Sequence, residues 1–148
     1  MRYVSKMFTV ELVSENCDLG APLRSSEDVF HFVQSIYQTL DADKEHFLLI
    51  VQNHKNRVAG HKVISTGSLT ASLVHPREVY TAVLNPEWHA AAIIFVHNHP
   101  SGDPAPSQED IELTRRLKEI ADLFGIKLND HVIVGHERFF SFSDRGML

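Results

Sequence analysis

Cysteine is almost missing from this 148-residue chain, where Cys17 stands alone. An intramolecular disulfide is therefore excluded, and so is a zinc finger built on cysteine ligands. One thiol suits a reducing compartment. Long apolar runs are missing too. No stretch approaches the ~18 residues of a membrane-spanning helix. The opening Met1-Arg2-Tyr3-Val4-Ser5-Lys6 is not followed by the apolar region of a secretory signal. The expectation is a cytoplasmic protein without a membrane span. Basic tracts are also absent: 14 Lys and Arg stand against 19 Asp and Glu, for a net charge of −5. The electrostatic footprint of a nucleic-acid binder is not visible in such a balance, although folding could still assemble a local basic patch. Internal repeats and low-complexity segments are missing as well.

What remains is the composition of an ordinary folded domain. Hydrophobic residues make up 43% and charged residues 22%, which argues against disorder. At ~100–200 residues per domain the chain reads as one domain. Nine Phe, three Tyr and one Trp supply large side chains for a core. Histidine is abundant, with ten residues.

The pattern along the chain alternates helix and strand signals. Met7–Val13 could be a first strand, and residues 16–25 read as a loop. Ser25 or Ser26 caps an amphipathic helix carrying Val29, Phe32, Val33, Ile36, Tyr37 and Leu40 at helical spacing. Glu45–Gln52 holds the run Phe47-Leu48-Leu49-Ile50-Val51, suited to a strand buried on both faces. Residues 53–56 form a polar turn and 57–65 return as a hairpin partner. Gly67 and Ser68 break that strand, and Leu69–Val74 is a candidate short strand. His75-Pro76 opens a second helix reaching about Leu84, ended by Asn85-Pro86. Residues 90–96 are the most apolar run and the best candidate for a central strand, stopping at His97. A helix follows from about Ser107 to Phe124, with Ile111, Thr114, Leu117, Ile120, Ala121 and Phe124 on one stripe and Gly125 as its stop. Residues 128–134 and 139–142 close the fold as strands around a Gly135-His136-Glu137 turn. The order predicts a mixed α/β sheet flanked by helices.

Chemistry concentrates between residues 97 and 110. His97 and His99 stand two apart at the end of a buried strand, so an extended backbone points both side chains the same way. Ser107 and Asp110 stand three apart at a helix start and share a face. The Pro- and Gly-containing loop between them can bring the pairs together, beyond the carboxyl end of a strand, where open α/β sheets place their sites. Two imidazoles and a carboxylate suit zinc, and three protein ligands leave a fourth position for water, as in catalytic zinc sites. Such a water becomes nucleophilic near neutral pH. A further carboxylate would have to move its proton, and a hydroxyl could steady an oxyanion. A plainer reading competes: Ser107 and Asp110 also spell a helix-capping pair, and two histidines can end a core strand with satisfied ring nitrogens.

The complete spacing is His-x-His, seven residues, Ser, two residues, Asp. It resembles the JAMM (MPN+) metalloprotease motif, and the surrounding text resembles the RadC branch of that family. The residues that carry the likeness are His97 to Asp103, Pro106-Ser107, Glu109-Asp110, Thr114, Asp130 to Gly135, Ser141-Phe142, Gly67 and Ser72 to Glu78. It extends from about Glu27 to Leu148. The resemblance implies a JAMM/MPN fold of cytidine-deaminase-like layering over a single domain spanning 1–148, with residues 1–24 as an N-terminal extension. It implies that His97, His99 and Asp110 hold one zinc ion, that Ser107 helps polarise the substrate or steady the transition state, and that Glu45 is the general acid/base. From the residues alone, Glu45 is a carboxylate at the mouth of a buried strand, with Glu78, Glu87 and Glu109 as competitors. Glu109 sits ~100° round the helix from Asp110 and should face away. RadC chains commonly carry a helical N-terminal segment, for which this length has no room, so the stand-alone form is expected.

The implied function is a zinc-dependent hydrolase acting on a peptide or isopeptide amide, with a protein or peptide as substrate. The rivals are a DNA-repair-associated protein or metal-dependent nuclease, and a non-catalytic interaction domain. The family's historical DNA-repair label finds no support in this composition. Zinc deaminases and HExxH proteases are disfavoured because their motifs are missing. Asp130-His131 could lie behind the site and orient a ligand, or form a structural hydrogen bond. His46, His54, His61, His75, His89 and His136 are expected at the surface. Trp88, with Pro86, could cover an apolar edge or a partner site.

Overall fold

Two apolar runs, in β1 (Glu45–Gln52) and β3 (Ala92–Asn98), pair antiparallel at the heart of the sheet. Each is buried along nearly its whole length because both of its faces are covered. The computed structural model describes residues 20–67 and 74–148. The expected strand at Met7–Val13, Cys17 and all of the Leu69–Val74 candidate except Val74 lie outside the described residues. Val74 is buried but belongs to no strand.

The sheet has five strands in the order β2-β1-β3-β4-β5. β2 (Val58–Gly67) is the hairpin return of β1, through a turn in which Asn56 takes a left-handed φ of 57°. β4 (Lys127–Val134) runs parallel to β3, and β5 (Phe139–Ser141) closes the edge antiparallel. The mixed α/β class read from the sequence is the one observed.

Alternation along the strands divides the core. Leu48, Ile50, Ile94, Val96, Val132 and Val134 meet Val29, Val33 and Ile36 of helix α1 (Ser26–Tyr37). On the other face, Phe47, Leu49, Val51, Ile93 and Phe95 meet α2 (Pro76–Val83) and α3 (Gln108–Leu123). Each such side chain contributes roughly 1.5–3 kcal/mol when fully buried. The result is a three-layer arrangement, helix–sheet–helices.

Several expectations are corrected. β3 does not stop at His97: the ladder pairs His97 with Phe47 on one side and Ile133 on the other, and Asn98 with Val134. Backbone pairing is indifferent to the loss of apolar side chains. α1 ends at Tyr37 rather than Leu40, as Thr39 and Leu40 tighten to bond the carbonyls of Ile36 and Tyr37. Gly67 does not break β2 but pairs with Glu45. Phe124 is half exposed instead of completing the α3 stripe. Trp88, left open between covering an apolar edge and a partner site, packs into the core over Gly60, which has no side chain to obstruct the indole.

Candidate metal centre

The antiparallel pairing of β1 and β3 sets Phe47 against His97. Two residues further along that register, Glu45 comes to the end of the sheet where β3 delivers His97 and His99. Helix α3 starts at the same end. Ser107 is its N-cap: its Oγ accepts from the Asp110 amide at 3.1 Å, while Asp110 Oδ2 accepts from the Ser107 amide at 2.8 Å. This reciprocal box fixes where the Asp110 carboxylate stands.

Four side chains converge there. One ligand atom from each of Glu45, His97, His99 and Asp110 lies within 4.8 Å of all the others. His97 Nε2 is 3.1 Å from His99 Nε2, 3.2 Å from Asp110 Oδ1 and 3.5 Å from Glu45 Oε1. His99 Nε2 is 3.2 Å from Asp110 Oδ2. Zinc–nitrogen and zinc–oxygen bonds of ~2.0–2.1 Å in a tetrahedron set neighbouring donors ~3.3 Å apart, so this donor set fits a zinc ion in both chemistry and spacing. His97 is deeply buried, and the other three are partly open to solvent.

Hydrogen bonds behind the imidazoles orient them. His99 Nδ1 lies 2.8 Å from the Asp103 carbonyl. A carbonyl only accepts, so Nδ1 carries the hydrogen and Nε2 turns its lone pair to the cluster. His97 Nδ1 lies 2.8 Å from His131 Nε2. Of the two readings open for Asp130-His131, contact with the site is the one seen for His131. The Asp130 carboxylate instead binds Ser141 and the backbone amides of His131 and Ser143.

Asn98 was not singled out from the sequence, yet it grips both neighbours of Glu45. Its Oδ1 accepts from the His46 amide at 2.7 Å and its Nδ2 donates to the Lys44 carbonyl at 2.9 Å. The Tyr37 hydroxyl adds a second tie from α1, its one hydrogen shared between the carbonyls of His46 and Val96, each at 3.1 Å. These partners lie far along the chain from Glu45 or on another element, so local spacing carries no signal of them.

Charge is tuned by burial and by neighbours. Burial raises the Glu45 carboxyl above its ordinary value, against the pull of His97 and His99. The Asp110 carboxylate beside it raises His99, with burial opposing. Burial works against ionisation of Asp110, but the neighbouring His97 and His99 imidazoles and the Ser107 amide outweigh it and hold the carboxyl well below the usual range. Burial lowers His131 well below the usual imidazole value.

Glu78, Glu87 and Glu109 are exposed and stand outside the cluster. His54, His75, His89 and His136 are exposed as expected. His46 is not: it is 3% exposed, with Nδ1 against Thr66 Oγ1 and Nε2 against the Asp41 carbonyl. His61 is partly buried rather than exposed, and its Nε2 has no partner among the described residues. A cavity of about 200 Å³ opens beside His99, lined by Tyr37, His46, Asn98, Gly102 and His136 among others. A larger one of about 440 Å³ lies at the opposite end of the sheet, by Ala92 and Lys127, away from this chemistry.

Fold and site together define a layered α/β domain with a His/Asp/Glu cluster at the carboxyl end of its central strand. A family model, the RadC-like JAB domain, matches residues 23–147. The chain belongs to that family. It is similar to a UPF0758 protein of Pelobacter propionicus, 46% identical over 134 residues that cover 90% of this chain and 56% of the relative. A UPF0758 protein of Geotalea uraniireducens is 55% identical over 108 residues, 73% of this chain and 46% of that one. A UPF0758 protein of Geobacter sulfurreducens is 47% identical over 124 residues, 84% of this chain and 52% of that one. The chain thus spans about half the length of the curated relatives it matches. No helix among the described residues is long and apolar enough to cross a membrane.

Proposed function

We propose that this chain is a zinc-dependent hydrolase of the JAMM type, cutting a peptide or isopeptide amide in a protein or peptide substrate. The observation that carries the reading is the convergence of Glu45, His97, His99 and Asp110 within 4.8 Å at a partly open sheet end. His97, His99 and Asp110 would hold the ion. A zinc ion there supplies Lewis acidity toward an amide carbonyl and makes water nucleophilic near neutral pH.

The remaining work falls to the chain's own groups. Glu45, whose proton affinity is raised by burial, takes a proton from the attacking water and returns it to the leaving nitrogen. Ser107 spends its oxygen lone pair on the Asp110 amide. Its hydroxyl hydrogen is not used by that bond and is available to a developing oxyanion. Asn98 holds the backbone on either side of Glu45 in place.

The test is elemental mass spectrometry on untagged protein, with Asp110→Ala as control. About one zinc per chain, lost in the variant, supports the reading. Glu45→Gln should then keep the metal while hydrolysis of fluorogenic peptides or lysine-linked isopeptides falls by about 10²–10⁴. A parent that takes up no zinc at neutral pH overturns the proposal and leaves an interaction domain as the better reading.

A further inference from the structure

Behind the cluster runs a chain of hydrogen bonds that leaves the helix and returns to the strand. The Thr114 hydroxyl lies 2.6 Å from the Asp110 carbonyl and 2.6 Å from His131 Nδ1. His131 Nε2 lies 2.8 Å from His97 Nδ1. His131 is fully buried and Thr114 is 1% exposed, so solvent does not compete. The His131 ring is stacked on Phe142 at 4.9 Å and 9°, with the Phe47 ring edge-on at 5.6 Å. That packing holds the ring plane fixed.

The direction of every bond follows from its end. A carbonyl oxygen can only accept, so the single Thr114 hydroxyl hydrogen goes to Asp110. The Thr114 oxygen must then accept from His131 Nδ1–H. Among the described residues the two ring nitrogens of His131 meet only Thr114 and His97. Neutral His131 therefore offers a lone pair at Nε2, and His97 must present Nδ1–H to it. The remaining His97 nitrogen, Nε2, is the one that faces His99, Asp110 and Glu45.

We propose that Thr114 and His131 are positioning residues that set the His97 tautomer, so that its Nε2 lone pair is committed to the ion. The inference rests on the metal reading above and adds to it a device that acts from the far side of the ligand. Because Thr114 bonds the carbonyl of Asp110, one hydroxyl ties together the ligand on α3 and the ligand on β3. Without that hydroxyl, His131 is free to turn its hydrogen toward His97. His97 would then carry its own hydrogen at Nε2, where it blocks the ion.

Two measurements test this. The first is long-range ¹H–¹⁵N correlation on the metal-free protein, which reads the His131 tautomer without reference to activity. The expected result is Nδ1–H with Nε2 as acceptor, and an Nε2–H tautomer overturns the proposal. The second is zinc affinity by competition with a chromogenic chelator, with the fold of each variant checked by amide correlation spectra. Thr114→Val, close in shape but without a hydroxyl, should weaken binding by about 10–100-fold, whereas Thr114→Ser should stay within about threefold of the parent. Equal affinity in all three proteins overturns the positioning role while leaving the metal reading intact. A parent that binds no zinc overturns both, whatever tautomer His131 shows.

Discussion

Ser107 and Asp110 cap each other across the first turn of α3, and the same Asp110 carboxylate faces both imidazoles of the cluster. The capping pair read from the sequence is present in the folded chain, and the same arrangement turns the carboxylate toward the two imidazoles, as the proposed ligand role requires. The two roles separate by substitution. Ser107→Ala should lower stability by about 1 kcal/mol in chemical unfolding and keep the zinc. Asp110→Ala should lose the zinc, as read by metal content.

Asn98 makes a prediction about Glu45. Its side chain bonds Lys44 and His46, the residues on either side of that carboxylate. Asn98→Ala leaves the His46 amide and the Lys44 carbonyl to find other partners. The metal-free variant should lose about 1–3 kcal/mol in urea unfolding. Its hydrolysis should fall further than its zinc affinity, since the Asn98 side chain bonds the two residues flanking Glu45 and makes no hydrogen bond to the side chains of the three proposed ligands.

Gly135 is a steric test of the ligand loop. A Cβ built there meets the Gly102 carbonyl oxygen and, at 2.8 Å, Pro104 Cδ. Those residues belong to the loop whose Asp103 carbonyl orients His99. Gly135→Ala should push the loop outward, costing about 1–3 kcal/mol as an overpacked contact. Zinc affinity should drop with it, a coupling that titration calorimetry on the variant would measure.

His61 gives a pH dependence. Burial lowers its imidazole below the ordinary value of 6.5, and its Nε2 has no partner among the described residues. The unfolded chain takes a proton near 6.5 that folded His61 resists. Its contribution to stability is therefore complete above 6.5 and is lost as pH falls from there toward the lowered folded value. Between pH 7.5 and 5.5, the metal-free parent should lose more stability than His61→Phe, whose ring keeps the contact with Phe32. Equal losses in urea unfolding at the two pH values would count against it.

Much of this was legible from local pattern. The β1 run, the Ser107 cap and the Gly125 stop are written in neighbouring residues, as is the His97 to Asp110 spacing, while the choice between Ser25 and Ser26 as the α1 cap is made only by the structure, for Ser25. What escaped depends on partners distant in sequence. His46 looked like a surface residue because nothing near it in sequence foretells the Thr66 hydroxyl across the hairpin. β3 runs through His97 because its neighbours in the sheet continue, a fact held in β1 and β4. Phe124 fits the helical stripe, but the helix ends at Leu123, and the ring is left half exposed. The contact of His131 with His97 joins residues 34 apart; the family resemblance left it open as one of two readings, and spacing alone does not reach it.

The position of β3 has a consequence for exchange. It is the third of five strands and carries His97 within its ladder. Amide hydrogens of Phe95, Val96 and His97 should exchange only through global opening, whereas those near His99 and Ser101 answer to local fluctuation. One donor thus belongs to the last part of the chain to unfold, and its companions to a faster one. If the proposed zinc is bound, a chelator should strip it from the open side, through His99 and Asp110, while His97 stays where the sheet holds it.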